Sequence, residues 1–384
     1  MSKVAMYSTS ELFGKRVTGG LKRFLELYYG MKNDGINVDL FSADSNKVLI
    51  ENGIEGISLD KNIKKNSLFI PAELKILLQN RKIIKFIKRQ EYKSVIVFDV
   101  PTAIGLCICG VKNINMLIRQ DLIGYKKISF NNRIRSKLLC CIYLKFMKLC
   151  ESICIIRSKK IIVQCKYDLN ELVKRHSFLK KSILRKTKIQ INNVNPSWIV
   201  SKSQISNKND ELKFQKEFKI GFIGDFSNER KGHKIFIEAI KSILDDGFNI
   251  KVTIIGDGKQ LNYYKNICDR YTSIEFTGRI ENPLKLIKMC DLIVVPSLLD
   301  SCPNTVMESL YNEVLVIGSN SGGIPEILVD KEFLFETNSI SIKNKILDII
   351  INNKLENLLK KQKIRKKELE FDWCREIIKL LDFN

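Results

Sequence analysis

Histidine is almost missing from this chain: 384 residues contain two, His176 and His233. A Ser-His or Cys-His nucleophile, or a metal site built on imidazoles, would have to rest on one of them, and neither stands in triad spacing. His233 reads instead as a helix-start residue. The eleven cysteines include no C-x-x-C pair, so the common zinc frameworks are excluded. Most lie in apolar runs (Cys107, Cys109, Cys140, Cys141, Cys154) and read as reduced core residues. No run reaches the ~18 uncharged apolar residues of a membrane span. The best candidate, Leu138 to Ile156, is broken by Lys145, Lys148 and Glu151. There is no G-x-x-x-x-G-K-[ST] loop, and GDG at Gly256 to Gly258 has Leu261 where a dinucleotide fingerprint needs a third glycine. The opening MSKVAMYSTS runs directly into a strand pattern without a signal-peptide core, so a cytosolic protein is expected.

Acidic residues are scarce in one half only. Residues 1–200 hold 37 Lys and Arg against 15 Asp and Glu, whereas 201–384 hold 28 against 27. A surplus so confined points to a basic face that meets a polyanion or an anionic membrane. An A/T-biased genome would also enrich lysine, but it predicts scatter rather than a difference between halves.

A chain of this length with 45% hydrophobic residues exceeds one ordinary core, so two domains are expected. In the first half, strand-like runs at 3–8, 37–42, 94–100, 115–118 and 160–165 alternate with helical patterns at 20–33, 73–89 and 133–155. This is the rhythm of a parallel α/β sheet. The polar stretch SKSQISNKNDE, 201–211, reads as a linker. The rhythm then restarts, with strands at 218–223, 250–255, 274–276, 292–296 and 314–318 and helices at 233–245, 261–271 and 283–290. The expected architecture is two doubly wound Rossmann-like domains with a cleft between them. Domain boundaries are expected at 1–200, a linker at 201–213, a second domain at 214–368, and a closing helix within 369–384 that could cross back to the first domain.

Three constellations carry chemistry. PSLLDSCPNTVMESLYNEVLVIGSNSGGIPEIL, 296–328, follows an apolar strand and sets Asp300 and Glu308 eight residues apart around a turn-to-helix junction, with Asn304 as expected N-cap. Orphan N–H groups and the positive dipole end of that helix favour an anionic or hydroxyl-rich ligand, and a carboxylate one turn in can accept a pair of hydroxyls. GFIGDFSNERKGH, 221–233, delivers Arg230 and Lys231 to the start of a helix, where cations are locally unfavourable and therefore suggest a diphosphate. VTGG, 17–20, opens the first long helix with paired glycines that let a backbone approach a ligand, as a simple turn would also do.

Taken in order, GFIGDFSNERKG, VTIIGDG, IEFTGRI, CDLIVVPS, DSCPNTVMESL and SGGIPEIL resemble the carboxyl-terminal domain of GT-B glycosyltransferases, specifically the large retaining family numbered four. The resemblance covers 219–330 closely and the first half more loosely, through the Gly-Gly turn, IVQC and INNVNPSWI. It implies that Glu308 holds the ribose of a UDP- or GDP-linked sugar while Arg230 and Lys231 neutralise the diphosphate. Asp300 would sit by the donor sugar, the backbone of Ser301, Asn304 and Thr305 would contact sugar or phosphate, and Ile280 would flank the base. Gly19 and Gly20 would approach from the first domain. The chain departs from the family pattern in three places. Asp300 stands where Glu is usual, Asp225 where many members have Arg, and LIRQDL offers Arg119, Gln120 and Asp121 where many have His.

The resemblance implies a hexosyl transfer with retention that needs no metal or other cofactor, and no convincing D-x-D loop is present. The acceptor would be a glycan or a lipid-linked sugar in capsule, O-antigen or lipopolysaccharide assembly. The basic first half, with 73–89 and 133–157 alternating apolar and basic residues, would then rest peripherally on the inner face of the cytoplasmic membrane. A nucleic-acid-binding protein is the rival reading, but the basic segments lack interleaved aromatic residues or a recognisable binding motif. A GT-B-like epimerase or phosphorylase is the other.

Overall fold

The computed structural model describes residues 3–14, 19–59, 79–131, 137–193, 217–227, 229–280 and 282–382. The expected linker, the part of the helical pattern at 73–89 that precedes Gln79, and residues 15–18 and 132–136 lie outside this set. The chain divides into two compact units: Met1–Ile123 with Ser136–Ile191 and Asp372–Asn384, and Gly124–Arg135 with Asn192–Phe371. The short segment 124–135 thus clusters with the second unit and the closing segment with the first.

The first unit is built on a seven-stranded parallel sheet. Its strands are β1 (Val4–Tyr7), β2 (Val38–Ser42), β3 (Gly56–Ser58), β4 (Ser94–Phe98), β5 (Ile114–Ile118), β6 (Lys160–Val163) and β7 (Thr187–Ile189), in the order β3-β2-β1-β4-β5-β6-β7. Every residue of β1, β4 and β5 is buried, as a sheet covered by helices on both faces requires. The second unit has a six-stranded parallel sheet of β8 (Phe218–Ile223), β9 (Ile250–Ile255), β10 (Ile274–Gly278), β11 (Leu292–Val295), β12 (Leu315–Ser319) and β13 (Leu334–Phe335), in the order β10-β9-β8-β11-β12-β13. In each unit the strand order reverses at one point, between β1 and β4 and between β8 and β11. Ligands of open α/β sheets bind beyond the strand carboxyl ends at such points.

Three strands escape the sequence pattern, β3, β7 and β13. Each is an edge strand of three residues or fewer, too short to show a period. The run expected as a strand from 94 to 100 stops at Phe98, because Asp99 turns the chain at a φ of 66° and Pro101 opens the helix Val100–Ile108. The first long helix, Gly19–Asn33, buries Phe24, Leu27, Tyr28 and Met31 at helical spacing. Against it lies the last helix, Trp373–Leu381, with Trp373 fully buried and the Cys374 side chain against Gly30.

Candidate functional site

Two segments leave the switch point of the second unit, one after β8 and one after β11. The first ends in a 3-10 turn, Glu229–Lys231, ahead of the helix His233–Asp245. Tyr264 and Gln260 both donate to the Glu229 carboxylate, at 2.6 and 2.9 Å, and fix the turn from below. Gly232 joins turn to helix at a φ of 76°, and a Cβ there would collide with the Pro296 carbonyl. Only glycine lets the two segments touch. The second segment is tied down by the Leu298 N–H donating to the Arg230 carbonyl (2.8 Å), and by Ser319 and Ser321 donating to the carbonyls of Ser297 and Leu298 (2.6 and 2.7 Å). At Gly322, where φ is 60°, a side chain would strike the Asp300 carbonyl, which accepts from the Gly323 N–H at 2.9 Å.

This framework brings together three of the residues singled out in the sequence. Arg230 Nη1 donates to Asp300 Oδ2 at 2.9 Å and to the Leu299 carbonyl at 3.0 Å, while Lys231 Nζ donates to the same Oδ2 at 2.6 Å. Their side chains keep 19, 18 and 13% of their surface open for Arg230, Lys231 and Asp300. Burial would push the Asp300 carboxyl up, but the two cations outweigh it and hold it at about 2. Lys231 is drawn below the usual lysine value by burial and by the Arg230 guanidinium, against the pull of Asp300. Two cations share one carboxylate oxygen beside a helix N-terminus, with Asp225 a second acid within electrostatic reach of Lys231. A second anion would relieve the repulsion between the cations.

The helix Asn304–Tyr311 carries Glu308, half-buried in its second turn. Asn304 does not cap this helix as expected. The cap position belongs to Pro303, whose extended backbone at φ −65° and ψ 124° leads in without a side-chain hydrogen bond, and Asn304 is the first helical residue. Ser301 and Thr305 are buried, and Thr305 lends its carbonyl to the Ser309 hydroxyl at 2.7 Å. Ile280 lies half-buried just past β10. His233 opens its helix as expected, packed against Phe222, Phe226 and Tyr264, and burial lowers it to about 3, so it is a neutral core residue rather than a base. The sequence reading missed Tyr125, whose ring lies 5.6 Å from the Arg230 guanidinium. Its segment precedes the rest of the second unit by some seventy residues, so no local pattern ties it to Arg230.

In the first unit, Gly19 and Gly20 are the opening residues of their helix, while Val17 and Thr18 lie outside the described residues. Arg119 and Gln120 are half-buried just beyond β5. The Arg119 guanidinium lies over Phe98 and Trp373, each at 5.6 Å, and the Arg119 backbone N–H donates to Asp99 Oδ1 at 2.8 Å. Asp99, not anticipated from sequence, stands at this unit's switch point, where burial pushes its carboxyl up to about 6. Near it the Thr9 and Thr102 hydroxyls lie 3.4 Å apart. Asp121 is buried and engaged by Arg175 Nη1 at 2.7 Å, which closes it off from a ligand.

Arg175 belongs to a buried polar network. Its Nε and Nη2 donate to Glu151 at 2.9 and 3.2 Å, His176 Nε2 lies 2.7 Å from Glu151 Oε2, and His176 Nδ1 lies 3.0 Å from Ser152 Oγ. Serine, histidine and glutamate thus meet despite the absence of triad spacing in the sequence. They form no nucleophilic site: Ser152 is buried in the helix Lys137–Arg157, donating to the Lys148 carbonyl at 3.1 Å, and Glu151 also serves Arg175. All eleven cysteines are free thiols, as expected, but Cys141 is exposed and Cys109 and Cys140 are half-buried rather than in the core, because the helix and loop ends that carry them face outward.

Residues 203–366 match the family described as glycosyl transferases group 1. The chain is 29% identical to protein CapJ of Staphylococcus aureus over 40% of its own length and 41% of that protein's. It is 28% identical to the uncharacterized glycosyltransferase MJ1059 of Methanocaldococcus jannaschii, over 69% and 64%. A Campylobacter jejuni α-1,4-N-acetyl-D-galactosaminyltransferase, named for an undecaprenol-diphosphate-linked substrate, is 28% identical over 42% and 47%. The chain therefore spans between two-fifths and two-thirds of these relatives. Among solved structures, sucrose-phosphate synthase of Thermosynechococcus elongatus superposes with a TM-score of 0.73 (15% identity, 99% and 98% covered), and Anabaena HepE in complex with UDP-glucose with 0.72 (15%, 99% and 98%). The fold is GT-B, as the resemblance implied.

Proposed function

We propose that the chain is a glycosyltransferase that moves a hexose from a nucleotide-diphosphate sugar to a glycan or lipid-linked acceptor, with retention and without a metal. The observation that carries this reading is the convergence of Arg230 and Lys231 on Asp300 at the switch point of the second unit. Two cations fixed side by side suit a diphosphate leaving group, whose developing charge they would stabilise without reorganisation. Glu308 would accept the ribose hydroxyls. Among the described residues no partner is recorded for Asp300 Oδ1, which would orient a sugar hydroxyl.

In the transfer, the bond from the sugar's anomeric carbon to the phosphate oxygen breaks with its electron pair going to the diphosphate. The acceptor oxygen bonds to that carbon on the same face, and its proton passes to the departing phosphate oxygen. UDP is the favoured nucleotide, on the strength of the HepE complex. An acceptor carried on a lipid diphosphate is supported by the Campylobacter relative, and a place in capsule assembly by the likeness to the Staphylococcus aureus capsular polysaccharide biosynthesis glycosyltransferase CapH. The protein would then work peripherally at the inner face of the cytoplasmic membrane. No helix among the described residues is long and apolar enough to cross one.

A thermal-shift screen against UDP, GDP, ADP and their sugars tests the reading. The correct donor at a hundred times its dissociation constant should stabilise the protein by about 2.7 kcal/mol. Glu308→Ala should abolish that shift, and a screen in which no nucleotide sugar stabilises the wild type would remove the donor site. Product analysis with and without an acceptor separates transfer from epimerisation or phosphorolysis.

A further inference from the structure

The strands of the first sheet send alternate residues to one face: Ala5 and Tyr7 from β1, Val95 and Val97 from β4, Ile114 and Met116 from β5, Ile161 and Val163 from β6. One continuous core joins them to Ile84 and Ile87 of the helix Arg81–Arg89, to Ala103 through Cys107 of Val100–Ile108, and to Cys150, Cys154 and Ile155 of Lys137–Arg157. These three helices therefore form a single layer over that face. Right-handed crossovers out of β3, β4 and β5, all moving the same way along the sheet, require the same placement.

The outer side of this layer is not an ordinary solvated surface. In Lys137–Arg157 the side chains of Leu138, Ile142, Leu149 and Ile156 are each more than half exposed. Their spacing puts them within about 40° of one line along the helix, opposite the buried Met147, Cys150 and Cys154. Leu139 and Cys141 widen the stripe, Lys145 interrupts it, and Lys137, Lys148 and Arg157 edge it. The single acid of this helix, Glu151, is turned inward to Arg175 and His176. Ile108, at the end of the middle helix, is exposed too. The neighbouring helix Arg81–Arg89 has no acid. It buries Ile84 and Ile87, and shows Arg81, Lys82, Lys85, Lys88 and Arg89 around an exposed Phe86.

We propose that this helix layer docks on an anionic lipid bilayer, with the Leu138–Ile142–Leu149–Ile156 stripe lying in the headgroup boundary and the Arg81–Arg89 cations set over the lipid phosphates. This deepens the membrane part of the function proposed above, on which it rests only for the acceptor's location. The charge pattern selects the occupant. A second copy of this chain would bring the same cations against each other, whereas an anionic leaflet pairs with them while its acyl boundary takes the apolar stripe. Long basic side chains such as Lys145 can reach back to headgroups from within the stripe.

The test is co-sedimentation of the full chain with vesicles of phosphatidylcholine alone or with one-third phosphatidylglycerol. The wild type should bind the anionic vesicles and leave the neutral ones. The triple variant Leu138→Ser, Ile142→Ser, Leu149→Ser should bind at least tenfold more weakly, because about three buried side chains are lost from the boundary. The variant Lys82→Gln, Lys85→Gln, Lys88→Gln should lose most of the binding and of its salt dependence. Each variant should keep the wild-type nucleotide-sugar thermal shift, which reports folding apart from docking. Wild-type vesicle affinity in either variant overturns the proposal, as does equal binding to neutral vesicles, or a solution dimer that the serine variant dissociates. Vesicle binding by a protein that no nucleotide sugar stabilises would leave the docking face standing and remove the donor site.

Discussion

Two clusters of charge in this chain use the same side chains to opposite ends. In the second unit, Arg230 and Lys231 share the Asp300 carboxylate, and each keeps part of its surface open. In the first, Arg175 stands between Glu151 and Asp121, with His176 closing the far side; both acids and the imidazole are buried, and Arg175 alone keeps 13% of its surface. There burial would push the Glu151 carboxyl up, but the bonds from His176 and Arg175 prevail and hold it below the usual range. In one cluster two cations converge on a single carboxylate oxygen; in the other one guanidinium is held between two carboxylates. An ion pair announces a ligand when charge of one sign is left over within reach of water, not when the pair is merely buried.

The comparison can be broken most forcefully at Glu151. Glu151→Ala leaves Arg175 and His176 buried without their partner and should cost about 3 to 5 kcal/mol of stability in urea unfolding, with the nucleotide-sugar shift of the surviving fold unchanged. Lys231→Ala should do the reverse. Transfer should fall by about 10²- to 10³-fold, the cost of losing one preorganised charge, at near-wild-type stability; undiminished turnover would take the cation out of the site. Asp300→Asn sharpens the contrast by removing the acid and leaving both cations. Free UDP should bind about tenfold tighter, on the order of 1.4 kcal/mol, by titration calorimetry, even as turnover drops, and weaker UDP binding would mean that Asp300 organises the cations rather than competing for them.

The smallest effect concerns His233. Its folded value of about 3 lies below the ordinary 6.5, so between these limits the unfolded chain takes up a proton that the folded one refuses. Stability is then intact above pH 6.5 and declines as the pH falls, by about 1.4 kcal/mol per unit from this residue. His233→Phe should remove that component from the pH dependence of unfolding. An unchanged slope would place the acid sensitivity elsewhere.

The second unit was the more legible in sequence. Its β11 is an uninterrupted apolar run, and its site is carried by short stretches whose spacing survives in the chain: Arg230 and Lys231 before a helix, Asp300 and Glu308 around one. What spacing could not disclose is that both cations meet one oxygen, since that depends on Gly232 and Gly322 admitting backbones from distant segments. In the first unit the residues that matter are scattered. Glu151 and Arg175 lie on different helices, and Asp99 sits inside what looks like the end of a strand. Tyr125 was illegible because its twelve-residue segment sorts with a unit whose remainder comes much later. The basic surplus was plain from composition, but only burial separates the helix that exposes an apolar stripe, Lys137–Arg157, from the one that shows mainly cations, Arg81–Arg89.

The last helix has a consequence for biosynthesis. Trp373 fills the space between Arg23 and Arg119, at 5.2 and 5.6 Å, and Lys160 donates to the Leu380 carbonyl at 2.9 Å, so the first unit is completed by the final residues of the chain. A ribosome adding about 5 to 20 residues per second needs roughly 10 to 40 s to travel from the end of β7 to the terminus. During that interval the nascent first unit waits with an open seat for an indole. The second unit, which runs to Phe371, is synthesised within that delay.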